Sequence, residues 1–435
     1  MSKTKVIIMG AAGRDFHNYN VFFKNNPDYE VVAFTAADQI MGIANRMYCG
    51  IPIFPEDDLR SLILKYQPEQ VILAYSDLSN QTVMDKASLV LSLGADFRLM
   101  GPDTTMLDSS KPVISICAVR TGCGKSQTTK YIAEMLREQG LRVVIVRHPM
   151  PYGDLEEQLC QRFETLDDLV KHKCTIEERE EYEHYINAGF VLYAGVDYGK
   201  ILEKVEQEAD VILWDGGNND LPFYRPNYHI VVVDPLRAGN ELTHYPGQAN
   251  LRMADLVIVN KCNSAKEEDI LRVIANVKSV NVSAKIITAD STLSIDRPEL
   301  LNDKIIIVED GPTLTHGDME YGAGYCAFKE INNKNHNLKI IKPSKYAVGS
   351  IQDVYQKYQH LEYILPAMGY SAQQIKDLEE TINNSNADVV LSATPIDLSK
   401  VVNVRQSIVN VKYVLKPHTS LTYIVDVIQD MVNYE

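Results

Sequence analysis

The residues with the clearest chemistry lie in one stretch: Val113-Ile-Ser-Ile-Cys-Ala118-Val-Arg120-Thr-Gly122-Cys-Gly124-Lys125-Ser126-Gln-Thr128-Thr129. An apolar run passes into a glycine-rich loop, then Gly-Lys-Ser, then an amphipathic stretch carrying Ile132, Met135 and Leu136. Strand, loop and helix in that order are the context in which a phosphate-binding loop works. Gly122 and Gly124 let backbone N–H groups turn onto phosphate oxygens, and the helix N-terminus adds its positive end. Lys125 is expected to reach the β- and γ-phosphates and Ser126 to ligate Mg2+. Cys123 and Gln127 complete the expected nucleotide-binding set around the loop.

The usual G-x-x-x-x-G-K-[ST] spacing wants glycine where this chain has Val119. The variant K-G-G-x-G-K-[ST] fits better, with Arg120 and Thr121 replacing its Lys and first Gly. In that deviant Walker A class the extra cation often acts across a dimer on the partner's nucleotide. Arg120 is a candidate for that role, and equally for a phosphate clamp within its own chain. Downstream, Asp210-Val-Ile-Leu-Trp-Asp215-Gly-Gly217-Asn218-Asn219-Asp220 reads as a buried strand delivering a carboxylate to a sheet edge. Asp215 is the expected Mg2+ carboxylate, and Asn218 and Asn219 are expected near the substrate. Asp154, in Arg147-His148-Pro-Met-Pro-Tyr-Gly-Asp154, is the candidate to position Mg2+ or the attacking group. Arg147 and His148 are candidate anion binders.

Val257-Ile-Val-Asn260-Lys261-Cys-Asn263 is similar to the N-K-x-D base-reading motif of GTPases, but an amide replaces its acid at Asn263. An amide cannot accept both guanine N–H groups, so Asn260 and Lys261 are expected in a base pocket that prefers ATP, with GTP possible. After a further strand come Glu309-Asp-Gly-Pro-Thr313-Leu-Thr315-His316-Gly317. Thr313 and Thr315 are candidate substrate hydroxyls, and His316 a candidate acid or base. Arg225 and Arg237 are candidate fork-type partners for phosphate. The loop Gly10-Ala-Ala-Gly13-Arg14 lacks a full G-x-G-x-x-G and is expected to serve a structural or regulatory lobe.

Short β-branched runs alternate with longer amphipathic stretches along almost the whole chain, the pattern of α/β units on a parallel sheet. The expected order is an N-terminal Rossmann-like domain over 1–110, a P-loop NTPase domain over 111–303, and a C-terminal α/β segment over 304–435. That last segment either completes the NTPase sheet or forms its own lobe. The polar break Asp108-Ser-Ser-Lys-Pro112 marks the first boundary. The charged stretch 175–183 is expected to be a solvated helix face. With 435 residues, 45% apolar and 23% charged, there is ample core for two or three domains. A formal charge of −15 argues against nucleic acid and anionic membranes. Seven irregularly spaced cysteines with no C-x-x-C pair point to reduced thiols and a cytoplasmic setting.

The P-loop segment, Arg147–Asp154, Asp215-Gly-Gly-Asn-Asn219 and above all Asp310-Gly-Pro-Thr-Leu-Thr-His-Gly317 resemble the cyclic 2,3-diphosphoglycerate synthetase-like P-loop NTPases. The resemblance runs from about residue 112 to the C-terminus. It implies ATP-dependent closure of 2,3-diphosphoglycerate to an intramolecular phosphoanhydride, with release of ADP and phosphate. The expected protein is therefore a Mg2+-dependent synthetase, a homodimer, acting on a small phosphorylated acid. Its catalytic set is Lys125, Asp154, Asp215, Arg120 and His316. The rival expectations are a regulatory or chaperone-type NTPase that switches a protein partner, and a nucleotide-gated sensor that hardly hydrolyses.

Overall fold

The computed structural model describes residues 2–10, 13–37, 46–148, 155, 157–311, 314, 321–333, 338–368, 371–394 and 396–433. Contacts divide the chain into two units: Met1–Arg162, Phe190–Ala289 and Pro417–Glu435 in the first, Phe163–Gly189 and Asp290–Lys416 in the second. This division by contacts runs at 289/290 and sets residues 163–189 with the second unit.

The first unit holds two large sheets and a two-stranded pair. Strands β1 (Thr4–Met9), β2 (Tyr29–Ala36), β3 (Met47–Tyr48), β4 (Ile51–Pro55), β5 (Gln70–Leu73) and β7 (Asp96–Leu99) form one, in the order β3-β4-β2-β1-β5-β7; β6 (Leu78–Ser79) stays outside it. All pairings are parallel except β3 with β4. Both faces are buried, so β1 reads as an unbroken apolar run rather than an alternating one. Ile7 and Met9 pack with Leu62 and Ile63 of the helix Leu59–Tyr66, while Val6 and Ile8 pack with Phe16 and Phe34.

The second sheet of this unit comes from β8 (Val113–Ala118), β9 (Val143–Arg147), β11 (Val191–Ala194), β12 (Val211–Gly216), β13 (Tyr228–Val233), β15 (Leu256–Val259) and the first half, up to Ala289, of β16 (Lys285–Ile295). The chain passes between units at β10 (Gln161–Phe163). The order is β11-β9-β12-β8-β13-β15-β16, with parallel pairing throughout. Strands β8 and β12 are buried along their whole length and lie side by side. Their C-terminal ends therefore present the P-loop and Asp215 next to each other, at the sheet edge where α/β proteins bind ligands. The pair β14 (His244–Tyr245) and β6 is antiparallel and ties the segment before residue 110 to the segment after it.

The second unit has a parallel sheet of β21 (Ser407–Pro417), β20 (Val389–Ala393), β17 (Lys304–Asp310) and β18 (Lys339–Ile340), with β19 (Ile364–Ala367) also on β17. Alternate β17 residues face two cores, Ile306 and Val308 in one, Ile305 and Ile307 in the other. The charged stretch departs from its expected solvated face. In the helix Ile176–Ile186, Glu178, Glu180 and Glu183 are each no more than 3% exposed. Tyr182 and Tyr185 turn inward on that helix, Tyr182 onto Phe163, and neighbouring glutamates go in with them. Thr175 N–H donates to Glu178, closing a capping box, and burial pushes the Glu178 carboxyl up to about 7.

Among the described residues no helix is long and apolar enough to cross a membrane.

Candidate active site

The loop after β8 is held by its carbonyls. Arg237 Nη2 donates to Thr121 O at 2.7 Å, Lys261 Nζ to Gly122 O at 2.6 Å, and Asn260 Nδ2 to Cys123 O at 2.9 Å. Asp234 in turn anchors Lys261 at 2.8 Å and Arg237 at 3.3 Å. A planar trans peptide points its C=O and N–H in opposite directions. Drawing three successive carbonyls onto this cationic and amide scaffold therefore turns the N–H groups that follow to the other side, where a phosphate can take them. Gly122 (φ 81°) and Gly124 (φ 102°) sit where a side chain would be strained. A Cβ on Gly124 would also overlap the amides of Asn260 and Gln127. Asn260 and Lys261, expected around a base, thus engage the loop itself. Burial pushes the Cys123 thiol up to about 11, so it stays protonated.

Asp215 ends β12, fully buried. Its Oδ1 accepts from Lys125 Nζ at 3.0 Å and from Thr129 Oγ1 at 2.6 Å, and its Oδ2 from Arg147 Nη1 at 2.5 Å. Lys125 also donates to the carbonyls of Asp215 and Gly216. Burial lowers the Lys125 ammonium to about 8; Arg147 adds to the effect and Asp215 opposes it. A triphosphate would offer Lys125 stronger acceptors than these two carbonyls. The Ser126 hydroxyl and the Asp215 carboxylate are hard oxygen donors and suit Mg2+, which takes one or two protein ligands beside phosphate oxygens. Among the described residues no group of three or more His, Cys, Asp or Glu could cage a metal by itself. Arg147, expected on substrate, lies against Asp215 instead.

The segment before residue 110 reaches into this site. Asp77, at φ 58°, accepts from Arg120 Nε at 2.6 Å and from Thr121 N–H at 3.2 Å. Arg120 Nη1 reaches Asn240 Oδ1 at 2.8 Å and lies 2.9 Å from His244 Nε2. The side chains of Arg120 and Asp77 are 7% and 6% exposed. Arg120 is thereby engaged within its own chain. Asn219 is a joint between three segments. It accepts from Asp77 N–H at 2.7 Å and donates to Val119 O at 2.8 Å and Tyr245 O at 3.5 Å. Asn218 accepts from the Thr121 hydroxyl at 3.1 Å. His148 lies against both Gly13 and Gly217, each at a place where a Cβ would strike its imidazole. His17 stacks on Phe223, with centroids 4.1 Å apart and planes 1° from parallel, and its Nε2 lies 2.5 Å from Thr105 O.

The structure brings together Arg120, Gly122, Cys123, Gly124, Lys125, Arg147, Asp215, Asn218, Asn219, Arg237, Asn260 and Lys261. Arg225 is drawn to Asp103 and Asp108, at 3.0 and 2.8 Å. Asp154, Thr313, Thr315 and His316 lie outside the described residues. Sequence reasoning missed Asp77, Asp234, Asn240 and His244. Asp77 had one signal, its place just past the C-terminal end of a buried parallel strand.

A sequence profile of the family "Cyclic 2,3-diphosphoglycerate synthetase, P-loop domain" matches residues 167–289. The arginine synthetase ArcE of Thermococcus kodakarensis is 55% identical over 425 residues, 95% of this chain and 94% of that protein. The chain belongs to the family of this arginine synthetase. The family is in turn related to the cyclic 2,3-diphosphoglycerate synthetases. The one from Thermococcus gammatolerans is 25% identical over 58% of this chain and 63% of its own length. The solved structure of LpxK from Aquifex aeolicus with ATP has a TM-score of 0.47 at 13% identity, covering 86% of this chain and 99% of that one. As a member of this family the chain is an NTP-dependent synthetase.

Proposed function

We propose that the chain is a Mg2+- and ATP-dependent arginine synthetase. The observation that carries this reading is the 55% identity to such an enzyme along nearly the whole chain, joined to a loop whose carbonyls are tied back and whose Lys125 sits on Asp215. Building a guanidinium from an oxygen-bearing precursor requires that oxygen to leave. The ureido oxygen of the precursor attacks the γ-phosphorus and ADP departs. An ammonia nitrogen then adds to the ureido carbon, and the oxygen leaves as inorganic phosphate. For such transfers a protein chiefly positions groups and neutralises charge.

In this reading Lys125 moves from Asp215 to the β- and γ-phosphates. Ser126 and Asp215 would hold Mg2+, which neutralises phosphate charge when bound. Arg147 pairs with Asp215 and holds its carboxylate in place. Arg120, fixed by Asp77, faces the nucleotide of its own chain. The first sheet we read as a Rossmann-like lobe on the substrate side, in a cytoplasmic enzyme. Asp154 and His316 remain candidates for positioning and proton transfer.

The test is direct. The purified chain is incubated with Mg2+, L-citrulline (the ureido counterpart of arginine), ammonium and either ATP or GTP, and arginine and inorganic phosphate are followed. Arginine formed in step with phosphate supports the reading; nucleotide cleavage without arginine sinks it. The second reading is cyclisation of 2,3-diphosphoglycerate, favoured by the profile over 167–289. It predicts a cyclic-anhydride phosphorus signal when that acid replaces citrulline.

A further inference from the structure

Arg14 and Asn18 stand four residues apart on the short helix Arg14–Asn18 that follows β1, and so share a face. They are 3% and 1% exposed. Arg14 Nε is engaged by Asp220, Nη2 donates to Leu221 O at 2.6 Å, and the guanidinium lies 4.8 Å over the Phe223 ring. Its Nη1 has no hydrogen-bond partner, and neither has Nδ2 or Oδ1 of Asn18. Buried polar atoms left unmet in this way cost on the order of 1–3 kcal/mol each, more when charged. Among the described residues no group uses the Asn18 amide. The pair is therefore poorly explained as packing and well explained as a receptor for something the chain does not itself supply.

We infer that Arg14 and Asn18 form the head-group subsite for an α-amino acid substrate. The α-carboxylate is taken by Arg14 Nη1 and Asn18 Nδ2, and the α-ammonium by Asn18 Oδ1. The inference rests on the arginine-forming reading and names the part of the chain that holds the amino-acid end. Atom types decide the ligand class. The unmet atoms are two donor groups, Arg14 Nη1 and Asn18 Nδ2, and one acceptor, Asn18 Oδ1, and a zwitterionic amino acid presents anionic oxygens beside an N–H donor. A phosphate or a second carboxylate would satisfy the donors but set its oxygens against Asn18 Oδ1. Position agrees. Arg14 is fastened to Asp220 on the loop that follows β12, and Gly13 abuts His148, which abuts Gly217 on that same loop.

The experiment measures calorimetric affinities of the full-length chain for L-arginine, agmatine and ATP. Agmatine keeps the amine and guanidinium of arginine and lacks the carboxylate. The proteins are wild type, Asn18→Ala and Arg14→Gln. Each variant should weaken L-arginine about ten- to a hundredfold, the effect of losing hydrogen bonds to charged groups, and leave ATP affinity unchanged. Arg14→Gln should leave agmatine unchanged, whereas Asn18→Ala should weaken it as well. Asn18→Ala removes no side-chain hydrogen bond among the described residues, and its melting curve checks that the variant folds as wild type. Wild-type affinity for L-arginine in both variants overturns the subsite and leaves Asn18 a holder of buried water. Equal loss of agmatine and L-arginine in Arg14→Gln also overturns it, because the defect is then structural. If the wild-type chain fails to bind L-arginine at all, the arginine reading itself falls.

Discussion

Lys125 and Arg120 are both cations beside the phosphate loop, yet they are held differently. Lys125 rests on two backbone carbonyls and a carboxylate it shares with Arg147 and Thr129, so it can leave without stranding Asp215. Lys125→Ala should fold and lose about a hundred- to a thousandfold in kcat, the usual effect of removing one preorganised charge; a steady-state assay checks this. Arg120 is locked to Asp77 in a pair that water scarcely reaches. Removing one partner of such a pair leaves a buried charge unmet, typically about 3–5 kcal/mol. Asp77→Ala should therefore lower the Tm and kcat together. Because Arg120 is tied within its own chain, mixing Arg120→Ala chains with Lys125→Ala chains should restore no activity; recovery in the mixture would overturn the cis assignment.

The element that matters most is the loop from Ala118 to Lys125, and much of it was legible. The run Val113–Ala118, the two glycines and Gly-Lys-Ser announce strand, turn and helix through local rules alone. The Asp215 strand was legible for the same reason: a parallel strand buried on both faces has to be continuously apolar. The scaffold behind the loop was not. Asn260 and Lys261 stand beside Gly122 and Cys123 only because β15 is two strands from β8 in the sheet, across β13, and the linear pattern carries no strand order. The helix Ile176–Ile186 was misjudged because charge counting ignored the tyrosine spacing that turns its glutamates inward. Gly124→Ala tests the element: it would place a Cβ against Asn260 at a positive φ. It should abolish nucleotide binding while leaving the sheet's circular-dichroism signal intact. Tight ATP binding by this variant would mean that the carbonyl ties are not what shapes the loop.

Across the whole molecule, stability should depend on pH through two buried imidazoles. Burial lowers His17 to about 3, with Arg14 adding to the effect, and lowers His229 to about 4. Both stay neutral in the fold but titrate at about 6.5 when unfolded. Below 6.5 the unfolded chain binds more protons, so stability is fully present above that pH and is lost as pH falls toward 4. The loss reaches about 2 kcal/mol per histidine by pH 5. Between pH 7 and pH 5 the raised Glu178 carboxyl takes up a proton in the fold and offsets part of this loss; melting curves over that range should therefore fall less steeply in His17→Gln than in wild type, and equal slopes would exclude His17 as a source. The plane-to-plane contact of His17 with Phe223 has another consequence. The ring that receives His17 and Arg14 belongs to the P-loop segment, as do Asn219 and Asp220, which meet Asp77 and Arg14. The leading lobe is therefore not an interchangeable cassette. A relative that acquired a new substrate would have to do so by remodelling loops on a fixed seam. Chimaeras joined at residue 110 should fail unless the stretch from 217 to 224 is exchanged with the lobe it serves.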